Sequence, residues 1–161
     1  MDLLDRMLGH DQWITTQLLE VCNRLTDAQL DQEFDIGLRD LRTTFDHMIY
    51  NLAFWTDLML GQPTTMSRED KSIPALLERH ASSYAAFDAF ARNAQAEQRL
   101  DETYRDHFDN PQSVGGTIVH VVVHNHLHRS EALHMFQRLG IEDVPDGDPQ
   151  EWEHRTGRLP R

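Results

Sequence analysis

The sequence predicts an all-α fold, a four-helix bundle, because apolar residues recur at intervals of three to four through four long segments. The alternation of Val, Ile and Thr that is typical of a sheet is missing from the sequence. A length of 161 residues suits one domain that buries a core without disulfides or a structural metal. We therefore expect a bundle over residues 1–140 and an irregular C-terminal tail over residues 141–161.

Boundary signals place the four helices at about 3–25, 40–60, 72–98 and 117–139. Gly61 and Gly140 follow the second and fourth helices, in the position that glycine favours beyond a helix C-terminus. Ser72 is suited to cap the third helix, with Pro74 in its first turn. The tail contains proline and glycine but few apolar residues, so no further long helix is predicted there.

Charge and cysteine content narrow the function classes. Twenty-seven acidic and 15 basic side chains give a formal net charge of -12, and the basic residues form no patch, which argues against nucleic-acid binding. Cys22 is the only cysteine, which excludes a disulfide within one chain and favours a reducing compartment. No leader-like or membrane-spanning apolar stretch is evident, so we expect a soluble cytoplasmic protein.

Three histidines recur every four residues in the fourth predicted helix: His120, His124 and His128. At about 100° per residue they share one face, which also includes Glu131, while His126 points away. A pair of histidines at positions i and i+4 can bind one metal ion, and imidazole suits zinc, nickel, copper or iron. Two ligands seldom retain a metal, so this spacing alone is a weak signal.

A third ligand has to come from another helix, and His47 is the candidate. It lies in an otherwise apolar part of the second predicted helix. A lone histidine in such surroundings can equally be a hydrogen-bonded core residue. An inward-facing histidine on one helix and an inward-facing pair on another nevertheless support each other as a metal site.

These motifs resemble the DinB/YfiT-like superfamily over about residues 1–140. The stretch IVHVVVHNHLHRSE at 118–131, closing in QRLG at 137–140, is similar to the last bundle helix of that family. The segment LRTTFDH at 41–47, continuing to the aromatic pair at 54–55, resembles its second helix. The resemblance implies that the metal ligands are His47, His124 and His128, and it matches His120 to a frequent histidine that is not a ligand.

The resemblance also implies a function and an assembly. Three neutral imidazoles leave a coordination position open, which in zinc sites is the catalytic arrangement, and such a site can lower the pKa of a bound water or thiol. Several branches of the family activate low-molecular-weight thiols. We therefore expect zinc or nickel, a small-molecule substrate, and a metal-dependent thiol transferase or hydrolase that forms a homodimer. The alternative is a non-catalytic, stress-associated metal-binding module.

Two positions depart from the family pattern, Ser130 where glycine is common and Glu131 where glutamine is common. We expect the Glu131 carboxylate to lie within several ångströms of the ion, where it ligates the metal or hydrogen-bonds its water, and we assign it a catalytic role. The alternative is a solvated glutamate in an ion pair with Arg129 or Arg138.

Other designs for a site fit less well. A zincin needs glutamate directly after the first histidine of its pair, whereas this chain has Asn125 there. A carboxylate-bridged dimetal bundle needs Glu-x-x-His on two bundle helices, but the second copy, which begins at Glu151, lies in the tail. Cys22 is expected to be an inert core thiol. Tyr50 and Asn51 either line a pocket or pack, and three further histidines are interpreted as surface residues: His80, His107 and His126.

Overall fold

Four long helices form a bundle in the computed structural model, which describes residues 1–159. They are α1 (Leu3–Cys22), α3 (Leu41–Met59), α4 (Ile73–Ala96) and α5 (Val114–Arg138). Two short helices, α2 (Asp27–Leu30) and α6 (Pro149–Arg155), and a two-stranded antiparallel sheet of β1 (Thr103–Arg105) and β2 (Pro111–Ser113) complete the chain. The predicted all-α four-helix bundle is confirmed. No helix of the described part is long and apolar enough to cross a membrane.

Each long helix begins where a side chain accepts a hydrogen bond from a backbone N–H of the first turn, and these caps are Asp2, Asp40, Ser72 and Ser113. The predicted cap at Ser72 accepts from the amide of Ala75. The helix α5 begins at Val114, three residues earlier than predicted, because Ser113 accepts from the amide of Gly116. As a result, Gly115 and Gly116, which are weak helix formers, lie in the first turn of α5.

The core consists of two apolar clusters along the bundle. One contains Phe45, Met48 and Phe136, and the other contains Tyr84 and Phe87, all essentially inaccessible to solvent. The helix α3 packs against both α4 and α5, and α1 packs against the same two helices from the other side. The helices α3 and α5 are therefore neighbours, which is the arrangement that a metal site between them requires.

The segment after residue 140, predicted as an irregular tail without a further long helix, contains one short helix, α6. Asp148 caps α6, and Trp152 is 2% exposed because it packs against α1. A Cβ atom at Gly9 would lie 2.6 Å from the indole of Trp152, so the absence of a side chain there makes room for the ring. Seven helical residues between prolines and glycines are too few for periodicity to reveal.

Polar side chains join α1 to α5 inside the bundle. The Arg129 guanidinium pairs with the Asp11 carboxylate and donates to Thr15 Oγ1 at 3.1 Å. Asn125 Nδ2 donates to the other Asp11 oxygen at 2.9 Å, and the carboxylate is fully buried. A buried charge of this kind is stable only when it is paired and hydrogen-bonded, so the network ties the register of α5 to that of α1.

Candidate metal centre

Two rows of side chains face each other where α3 and α5 run antiparallel. The row on α3 contains His47, Asn51 and Trp55, and the row on α5 contains His128, His124 and His120. Within each row the residues are four apart, so they share a face of their helix. Because the helices run in opposite directions, the start of the α3 row meets the end of the α5 row.

Three imidazole rings converge at one end of these rows. His124 Nε2 lies 3.2 Å from His47 Nε2 and 3.2 Å from His128 Nε2. All three candidate ligand atoms lie within 4.8 Å of one another. Zinc–imidazole bonds of about 2.0–2.1 Å at tetrahedral angles would hold such nitrogens about 3.3–3.4 Å apart. The spacing and the chemistry of the donors therefore fit one divalent transition-metal ion.

The surroundings favour the neutral form of two of these rings, His47 and His124. Burial lowers the pKa of His124 to about 4, with the neighbouring His128 and His47 as further causes. Burial also lowers the pKa of His47, and charges on His128 and Arg68 lower it further. A neutral imidazole has a free lone pair on one nitrogen, so His47 and His124 can each offer a nitrogen to a metal at neutral pH.

Glu131 contacts the His128 ring at the nitrogen that does not face His124. Its Oε2 atom lies 2.7 Å from His128 Nδ1, whereas His128 Nε2 faces His124. The carboxylate therefore contacts the ring nitrogen that does not face the other two histidines. Arg129 and Arg138, the partners considered for a surface ion pair, bind Asp11 and Asp35 instead. A carboxylate in this position fixes the tautomer and orientation of a ligating imidazole.

The loop between α2 and α3 leaves room for the Glu131 side chain. Gly37 has a φ of 48°, and a Cβ atom there would lie 2.2 Å from Glu131 Oε2. A side chain at position 37 would therefore displace the carboxylate as well as strain the backbone. Sequence reasoning did not single out Gly37, since only the tertiary structure brings this loop to α5.

Asn51 occupies the equivalent position behind His124. Its Nδ2 atom lies 3.2 Å from His124 Nδ1, and its Oδ1 atom accepts a hydrogen bond from Trp55 Nε1 at 3.1 Å. The rings of Trp55 and His120 are 5.3 Å apart, and His120 is exposed. His120 shares the stripe of the other two histidines, but its ring is not part of the converging group.

A buried carboxylate next to His47 is held by three cations. Asp46 is 0% exposed and lies 2.6 Å from Arg68, 3.3 Å from Lys71 and 3.1 Å from Arg79. Burial by itself would raise the pKa of Asp46, but hydrogen bonds and charges from Arg68 and Lys71 lower it overall. The ion pairs attach the loop after α3 to the helix turn that carries His47. No spacing rule in the sequence could have revealed this contact.

The other cysteine and histidine residues considered from the sequence are not part of the converging group. Among the described residues, the converging histidines are the group of three that could hold a metal. Cys22 is buried, and burial raises the pKa of its thiol to about 12, so it stays protonated. His107 and His126 are exposed as expected. His80 is not a surface residue, because it is 2% exposed and its ring lies 3.4 Å from the Gln12 carbonyl oxygen.

Comparison with known families gives a match to the DinB superfamily. The model of the DinB superfamily matches residues 11–132, which is more than half of the chain. The matched range contains the three converging histidines and Glu131. Comparison with curated proteins gave no match.

Proposed function

We propose that this chain, which belongs to the DinB superfamily, binds one divalent transition-metal ion on His47, His124 and His128. It uses this ion to act on a small molecule. The observation that carries this proposal is the 3.2 Å separation of His124 Nε2 from the other two Nε2 atoms. The reaction we propose is thiol-dependent, as in a metal-dependent thiol transferase, or a hydrolysis at a site of similar design.

The donor set supports zinc or nickel as the ion. Three imidazole nitrogens suit borderline transition metals, whereas magnesium and calcium prefer oxygen ligands. Three neutral ligands also leave the metal charge uncompensated and a coordination position free. When bound, the metal supplies a positive charge that lowers the pKa of a thiol or water molecule coordinated to it.

The protein's own groups orient the ligands. Glu131 accepts a hydrogen bond from His128 Nδ1–H, which leaves the lone pair on Nε2 for the metal. The negative charge of the carboxylate increases the basicity of that imidazole. We propose that this is the role of Glu131, in place of direct ligation.

A non-catalytic metal-binding module is the second candidate function. The three histidines belong to only two helices, α3 and α5, so a bound ion would also tie these helices together. The two functions differ in the free coordination position. An enzyme exchanges a water or thiol there, whereas a purely structural site is saturated.

Metal analysis of the purified protein tests the proposal. We expect about one zinc or nickel ion per chain after chelator-free purification, and loss of tight binding in His124→Ala. The matched control is His126→Ala, which changes an exposed histidine of the same helix. Equal metal content in the two variants, or failure of the wild-type protein to bind zinc and nickel, would overturn it.

A thiol titration then separates the two functions. In the cobalt-substituted protein, 2-mercaptoethanol should produce a sulfur-to-cobalt charge-transfer band if a coordination position is exchangeable. A spectrum that does not respond to the thiol supports the module instead.

Assembly and location are further proposals. We propose a homodimer, following the family resemblance, with light scattering at micromolar concentration as the test and a monomeric mass as the contradicting result. We also propose a cytoplasmic location, which agrees with a single buried cysteine that needs no oxidising compartment.

A further inference from the structure

A cavity of about 290 Å³ opens beside the metal centre, between α3, α5 and the strand β2. Its lining residues are Trp55, Gln112, Gly116, Thr117 and His120. The volume is just below the range of about 300–1,000 Å³ that is usual for small-molecule sites. It suits one ring or two fused rings of a ligand better than a whole larger molecule.

Two polar side chains of the cavity wall, Thr117 and Gln112, already have hydrogen-bond partners within the protein. Thr117 Oγ1 donates to the Ser113 carbonyl oxygen at 3.0 Å and lies 2.6 Å from the Tyr104 hydroxyl. Gln112 Nε2 donates to an Asp106 oxygen at 2.9 Å. These groups gain little from a polar or charged ligand, because binding one would require them to give up existing hydrogen bonds.

The cavity wall also contains aromatic rings. The rings of Trp55 and His120 lie 5.3 Å apart at an angle of 72°. Outside the cavity lining, Phe54 of α3 packs edge-on at 5.1 Å against His107 of the turn between β1 and β2, and the His107 ring lies 6.1 Å from that of Trp55. Ring pairs at these separations favour edge-to-face or offset stacking, so the wall can hold a further flat ring.

Two contacts connect the cavity to the candidate metal ligands. The Trp55 indole donates to Asn51, whose amide in turn contacts His124. The His120 ring lies 5.7 Å from that of His124. A group bound in the cavity therefore lies next to a metal-ligating ring, close enough for another part of the same small molecule to reach the ion.

We propose that this cavity binds an uncharged aromatic group, of one ring or two fused rings, on the small molecule that the metal centre acts on. The inference rests on the proposed function, since it names the substrate class of the same site. The aromatic group is held by Trp55 and His120, and the reacting group of the substrate is directed toward the three histidines.

Binding of benzyl alcohol to the full-length protein, with and without zinc, tests the cavity separately from the metal. In ¹⁵N-resolved NMR spectra we expect saturable shifts of the Trp55 indole N–H and the Gly116 amide. Cyclohexylmethanol, which has a similar size but no aromatic ring, should bind about two- to tenfold more weakly, the factor that corresponds to one aromatic contact. No shift at these residues, or equal binding of the two alcohols, would overturn the inference.

Two pairs of variants locate the bound group. His120→Ala should weaken benzyl alcohol binding without loss of metal, whereas His126→Ala, an exposed histidine of the same helix, should not. Trp55→Leu should weaken it as well, with Trp13→Leu as the control at a tryptophan that packs in the other part of the core. Equal affinity in His120→Ala and His126→Ala would contradict the assignment.

A thiol comparison connects the cavity to the proposed function. In the cobalt-substituted protein, benzyl mercaptan should bind more tightly than 2-mercaptoethanol, and His120→Ala should reduce that preference. If metal binding fails but benzyl alcohol still shifts the cavity residues, the proposed function is wrong while the aromatic cavity remains. If both thiols bind the cobalt equally well, the metal site stands and the aromatic substrate class is wrong.

Discussion

The amide of Asn51 contacts the ring nitrogen of His124 that faces away from the other two histidines, with Nδ2 3.2 Å from Nδ1. A metal on Nε2 requires Nδ1 to carry the proton, and an N–H group needs an acceptor. Asn51 now presents its own donor there, while its Oδ1 accepts from Trp55. Metal binding should therefore turn this amide and change the hydrogen bond of the Trp55 indole.

We expect zinc to shift the Trp55 indole N–H resonance and the tryptophan fluorescence. Asn51→Ala should lower zinc affinity about 10- to 100-fold, the usual effect of removing a hydrogen-bond partner of a ligating histidine. Asn93→Ala, at an exposed position of α4, should leave the affinity unchanged. Equal zinc affinities for the two variants, measured by competition with a chromophoric chelator, would refute the role of Asn51.

Glu131→Gln should retain most of the metal, because a glutamine oxygen can still accept from His128 Nδ1. The substitution removes a negative charge near the ion, so the pKa of a coordinated water or thiol should fall. A pH titration of the cobalt-substituted protein measures this change. Glu142→Gln, at an exposed position, is the control. A titration unchanged from wild type would show that the charge of the Glu131 carboxylate does not influence a coordinated water or thiol.

Arg129→Met should destabilise the fold by about 3–5 kcal/mol, because it leaves the fully buried Asp11 carboxylate without its ion-pair partner. Adding Asp11→Asn should recover part of the lost stability, since the amide carries no unpaired buried charge and its oxygen still accepts a hydrogen bond from Asn125. Urea unfolding of the single and double variants measures the difference. A double variant less stable than Arg129→Met alone would contradict this account of the network.

Cys22 should resist modification in the folded protein, because burial raises the pKa of its thiol from 9.0 to about 12. The unfolded chain ionises this thiol above about pH 9 and the folded chain does not, so ionisation favours unfolding. Its contribution to stability is therefore complete below about pH 9 and is lost as the pH rises toward 12.

Two measurements check the Cys22 prediction. A thiol-reactive disulfide reagent should react with the denatured chain and not with the native one at neutral pH. The decrease of unfolding free energy above pH 9 should be shallower in Cys22→Ala than in wild type. Rapid labelling of the native protein would show that the thiol is not enclosed.

The helices and one half of the candidate site could be predicted from the sequence because both depend on local spacing. A period of 3.6 residues identifies an amphipathic helix and places His124 and His128 on one face, whichever residues that face later meets. His47 could not be joined to this pair by spacing, since 77 residues separate it from His124. Its assignment as a ligand depended on the family resemblance.

Tertiary structure alone decided the contacts between elements that are distant in sequence. It buried Arg129 against Asp11, although the sequence offered Arg129 only as a partner for a solvated Glu131, and it placed Asn51 next to His124 Nδ1. It also packed Trp152 of a short helix onto α1. The sequence determined which residues form helices and which faces are apolar, since these follow from local geometry. The packing of the helices decides which polar groups are buried and which hydrogen-bond partners replace water. These contacts exist only in the complete bundle.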